Sequence, residues 1–140
     1  MRRGLGRGRT LIAIGAILSA TATFLPWVTA AGAVRDPRPY DGFIGPGGIM
    51  FLAAVAMLAI IVLPYTTRTR RAAIDRAIVY LALLVVGVGA LAVTVLDLVA
   101  IEGNKSLAPL DAPGLWLAIA GMALATWGVL ELFAEKPPAP

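Results

Sequence analysis

Asp97 is the one carboxylate set inside a long apolar run, Val93-Thr94-Val95-Leu96-Asp97-Leu98-Val99. An ionised carboxylate is costly in hydrocarbon, so such a group faces a bundle interior, finds a partner or keeps its proton. Two readings follow. One is a proton or cation site. The other, which we favour, is a structural group that accepts hydrogen bonds from loop N–H groups or pairs with Arg35 or Arg38. Asp97 lies about one turn from the expected outer end of its run, which lowers the cost of its charge. Asp36, Asp41, Glu102 and Asp111 fall in polar segments expected on the same side. Their oxygens suit calcium, but no loop carries metal-ligand spacing. No metal and no other cofactor is expected.

The remaining side chains leave little room for catalysis. Cysteine and histidine are absent. Disulfides, thiolate chemistry, the usual zinc sites, haem ligation and imidazole proton shuttles therefore lose their main groups. Serine and threonine have no imidazole to activate them. A Ser–Lys pair would need Lys105 or Lys136, both in polar segments, so nucleophilic catalysis is not expected. Glu131, near the end of the last apolar block, is read as snorkelling or paired with an arginine. Asn104-Lys105-Ser106 matches a glycosylation acceptor, a three-residue match of low specificity.

The elements that must position these groups are written in the composition. Of 140 residues, 59% are apolar and 14% charged, against roughly half and a quarter in soluble domains. The excess is gathered into four blocks near the ~20 residues that a ~30 Å hydrocarbon core requires. These predict helices over residues 11–28, 46–65, 72–100 and 113–133. A basic arm (1–10) precedes them and a disordered tail (134–140) follows. Pro26 and Trp27 close the first block, and Pro46 opens the second at a position where a missing N–H costs nothing. Trp27 and Trp116 are placed at the outer boundary as interface aromatics, with Trp127 deeper. The basic start and Ala31-Gly32-Ala33 also fit a cleaved signal peptide. A retained helix is preferred, because the apolar run is longer than a signal core and further spans follow.

Arginine and lysine set the orientation. Nine lie in the first arm, the segment around Arg68 to Arg76 and the tail; three, Arg35, Arg38 and Lys105, lie in the other loops. Both ends are therefore expected in the cytoplasm, with the chain in a bacterial inner membrane. The net charge of +4 is accounted for in this way, and with no basic stripe or aromatic platform a nucleic-acid partner is not expected.

Small residues permit helices to approach closely in lipid. Gly15, Ser19 and Thr23 form one small ridge, Gly121 and Ala125 another, and Gly87 with Gly89 thins the third span. These ridges fit packing within one chain or against a second copy or partner helix. A faint echo near seventy residues apart joins Pro39-Tyr40-Asp41 to Pro109-Leu110-Asp111, and Leu52-Ala53-x-x-Ala56-Met57 to Leu117-Ala118-x-x-Gly121-Met122. It fits two repeated helical hairpins, or ordinary helix-start chemistry met twice.

Phe24-Leu25-Pro26-Trp27-Val28, Asp41-Gly42-Phe43-Ile44-Gly45-Pro46-Gly47, Asp97-Leu98 and Pro113-Gly114-Leu115-Trp116-Leu117-Ala118 follow in order. That series resembles a loose group of small four-helix membrane proteins common in actinobacteria. The resemblance implies a four-span bundle and brings no activity with it. The paired loop cysteines of claudins and the first-span glutamate of small multidrug exporters have no counterpart. The expectation is an all-α membrane protein, a four-transmembrane-helix bundle. Its expected role is that of a non-enzymatic accessory subunit that binds membrane lipids or other membrane proteins, as a homo- or hetero-oligomer. The alternative is a small transporter or channel using Asp97.

Overall fold

The structure, a computed structural model, describes residues 6–28, 40–41, 47–66, 77–102 and 112–135. Among these residues the chain forms four helices: α1 (Arg7–Ala22), α2 (Gly47–Thr66), α3 (Ala77–Glu102) and α4 (Pro113–Ala134). A short antiparallel ribbon, β1 (Pro26–Val28) with β2 (Tyr40–Asp41), lies between α1 and α2. Its register slips between Pro26 and Val28. Arg35, Arg38, Lys105 and the arginines around Arg70 lie outside the described residues.

The first helix lies earlier than the reading of 11–28. It starts inside the basic arm because the Thr10 N–H and hydroxyl both turn back onto the Gly6 carbonyl, at 3.0 and 3.2 Å. It stops at Ala22 because the Phe24 and Leu25 N–H groups close a tight turn onto Thr21 and Ala22. Pro26 then has no N–H to continue with. α4 opens with Pro113 in its first turn, as the sequence suggests, and its helix extends through Ala134, one residue into the segment read as tail.

Each helix touches two neighbours, in the ring order α1–α2–α3–α4. The α1–α4 contact is by far the most extensive. Ile12, Met50, Met57, Tyr80, Leu84, Met122 and Val129 fill the interior. Ala53 and Met57 of α2, like Ala118 and Met122 of α4, are buried, so that half of the internal echo occupies the inward faces of both helices. α3 (Ala77–Asp97) and α4 are long and apolar enough to cross a membrane. α2 contributes a shorter apolar stretch, Gly47–Leu63, and α1 has 16 residues.

Candidate functional site

The α1–α4 seam is built from small residues in steps of seven: Gly8, Gly15 and Ala22 on one helix meet Gly128, Gly121 and Gly114 on the other. The numbers rise on α1 as they fall on α4, so the pair is antiparallel. Seven residues is the period of a left-handed helix pair. A Cβ on Gly15 would stand 2.5 Å from the Gly121 carbonyl oxygen and 2.6 Å from the Ala125 nitrogen. One on Gly128 would stand 2.6 Å from the Gly8 oxygen. Backbone therefore packs on backbone along the seam, and no side chain larger than hydrogen fits at its five glycines without something moving.

Some of the expected packing residues fall in this seam and others do not. Gly15, Ser19, Gly121 and Ala125 lie in it. Thr23 is buried one step past the helix end, its hydroxyl donating to the Ala20 carbonyl at 2.6 Å. Gly87 admits Met122 of α4 and Ala53 of α2. Gly89 points outward from α3, and no described residue lies within 4 Å of where its Cβ would be, so it takes no part in packing among the described helices. Sequence reasoning missed Gly8, Gly114 and Gly128. Their signal is the seven-residue spacing, which a four-residue ridge does not contain, and Gly8 lies within the basic arm.

Trp27 is a correction. It is not an interface aromatic with a wet N–H; it is 1% exposed, on β1. Its ring lies against Gly114, where a Cβ would meet Trp27 Cδ1 at 2.7 Å. Its Nε1–H donates to the Ala22 carbonyl at 2.9 Å, so the indole closes the end of α1. Trp116 is 45% exposed, on the outer side of α4.

Asp97 is exposed on α3 and ends its membrane-length apolar stretch. Thr94, one turn earlier, is the buried polar residue, and its hydroxyl is satisfied by the Ala90 carbonyl at 2.9 Å. The proposed partners Arg35 and Arg38 lie outside the described residues, as do Asp36 and Asp111. Among the described residues no group of three or more potential metal ligands gathers.

Charged side chains meet at the opposite end of the seam. Glu131 Oε1 lies 3.3 Å from Arg7 Nε and accepts the Trp127 Nε1–H at 2.9 Å. Glu135 lies beside Gly6. Both carboxylates thus stand at the start of α1, where the helix dipole favours negative charge.

Comparison with known protein families, curated proteins and solved structures finds no match.

Proposed function

We propose that the chain is a multi-pass inner-membrane protein. It crosses the bilayer four times with both ends in the cytoplasm and serves as a non-enzymatic accessory subunit for other membrane proteins or lipids. One observation carries the membrane reading. The apolar stretches of α3 and α4 are only 33% and 39% buried within the molecule. A helix at the core of a soluble protein is apolar because its neighbours cover it. Here the outward side is apolar as well: Ile78, Val85, Val93 and Leu96 on α3, and Trp116, Ile119, Leu130 and Phe133 on α4, are all exposed. A surface of that kind needs a non-aqueous cover.

The hydroxyls support the same reading. Thr10, Thr21, Thr94 and Thr126 each donate to the carbonyl four residues earlier. Internal satisfaction of this sort is what hydrocarbon requires. The 16 residues of α1 span about 24 Å at ~1.5 Å each, short of the ~30 Å core. The extended β1 segment lengthens the crossing. Non-helical backbone is tolerated at that depth when protein covers it, and buried Trp27 lies there against Gly114. The resemblance to small four-helix membrane proteins agrees.

The accessory role rests on the absence of histidine and cysteine, on a seam closed by direct backbone contact, and on an outward face of α3 that leaves Gly89 uncovered. The transporter alternative gains no support from Asp97, which faces away from the interior. Gentle extraction from native membranes tests the proposal. A stable complex with a second membrane protein or retained lipid is expected; a bare, solitary monomer in every mild detergent would overturn it.

A further inference from the structure

The two helices of the seam end together at two levels. Gly8 packs on Gly128 near one end, and Gly114 packs on the Ala22 carbonyl near the other. From Gly8 to Ala22 the helix rises ~21 Å at ~1.5 Å per residue. At the first level the face is closed by charge. Glu131 Oε1 lies 3.3 Å from Arg7 Nε and accepts the Trp127 N–H. The guanidinium is therefore tied to the level of Glu131 and cannot reach far outward. Arg9 stands in the same first turn of α1. At the second level α1 stops at Ala22, and Trp27 folds back against Gly114. Trp116 stands there in the first turn of α4. Trp116 and Trp127 are 45% and 59% exposed. About three turns apart, they share one side of α4, with ~16 Å between their levels. Amphipathic aromatic rings favour the boundary between membrane and water. From Trp116 to Glu131 the helix rises only ~22 Å.

α3 has a different length. Its apolar stretch, Ala77–Asp97, has 21 residues and covers ~31 Å, which matches a hydrocarbon core of ~30 Å. Its outward side carries exposed Ile78, Val85, Val93 and Leu96, and Asp97 follows at the end. The apolar belt of the molecule is thus taller around α3 than around the outer side of the α1–α4 seam.

We infer that the chain thins the bilayer beside its α1–α4 face and selects phospholipids with short acyl chains there, an inference that rests on the membrane reading above. A core of full thickness would draw either the Arg7–Glu131 pair or the Trp116 ring into hydrocarbon. A bilayer meets a short apolar belt by thinning next to it, and short chains thin with the least distortion. Beside α3 no thinning is needed. The sign of the charge at either end plays no part in this choice; the levels of the polar groups make it.

Tryptophan fluorescence tests it. The full-length protein is reconstituted in vesicles of dimyristoleoyl-, dioleoyl- or dierucoylphosphatidylcholine, each mixed with brominated dioleoylphosphatidylcholine. Quenching by the brominated lipid measures how strongly each competitor holds the surface beside the exposed rings. Buried Trp27 adds a constant background. A second protein carries Trp116→Phe, Trp127→Phe and Val85→Trp, all at exposed positions, and moves the reporter to α3. In the natural chain the dimyristoleoyl lipid is expected to bind about two- to threefold more strongly than the dierucoyl lipid. In the second protein that preference is lost. No preference for the shorter lipid in the natural chain, or the same preference at both faces, overturns the inference while leaving the membrane reading in place. A chain that stays monomeric in water without detergent removes both.

Discussion

The glycines of this chain are distinguished by what stands opposite each one. Gly15 and Gly121 face each other's backbone, and Gly89 faces no described residue. Added methyl groups should therefore separate them. Gly15→Ala and Gly121→Ala force the α1–α4 pair apart and should each cost about 1–3 kcal/mol, the usual range for overpacking. Gly89→Ala should be neutral or stabilising by up to about 1 kcal/mol, because it only removes a flexible residue from a helix. Reversible unfolding in detergent micelles measures all three. Equal losses at Gly15 and Gly89 would count against the seam. Ser19 has its own physics. Its hydroxyl is fully buried in the seam, and no described residue hydrogen-bonds it. It lies against Gly121, whose missing side chain leaves the space it occupies.

At the scale of elements, α1 is shaped at both ends by contacts with α4. Its start receives Glu131 of α4 and Glu135 just past the end of α4, and its end is closed by Trp27, whose ring lies against Gly114. The extended Pro26–Val28 segment is thereby tied to the bundle. Trp27→Phe keeps most of the ring and loses the bond to the Ala22 carbonyl. The expected cost is about 1–2 kcal/mol from the lost hydrogen bond and the small void, read as a lower thermal midpoint in micelles. No loss would mean that the indole N–H is not needed to close the helix.

At the scale of the whole molecule, the ring of four helices brings α1 and α4, the first and last, into the closest contact. The proposed topology, four crossings with both ends in the cytoplasm, requires α1 and α4 to run in opposite directions, as they do. Reporter fusions after residue 70 and after the C-terminus should read cytoplasmic, and a fusion near residue 105 should read external. A cytoplasmic signal near 105 would remove at least one crossing. α3 contacts both of its neighbours less extensively than α1 contacts α4, and it carries the uncovered Gly89. In the proposed accessory role, α3 is therefore the helix on which an outside partner would dock.

The amino-acid sequence alone determined that there are helices, how many the described residues contain and roughly where they run, because long apolar blocks punctuated by Pro46 and Pro113 leave the backbone no other way to satisfy its own polar groups. It also excluded chemistry based on histidine or cysteine. It could not say which side of each helix turns inward. Both the outward and the buried faces of α3 and α4 are apolar, so the alternation that marks a core face in a soluble protein is missing. For that reason Gly87 and Gly89, two residues apart on one helix, looked alike in sequence and lie on opposite sides in space. Asp97 turned outward for the same reason. Trp27 changed from a boundary residue to a core residue once the chain left the helix at Ala22. Only the packing of α1 on α4, decided by which backbones can approach without a side chain between them, selected among those orientations.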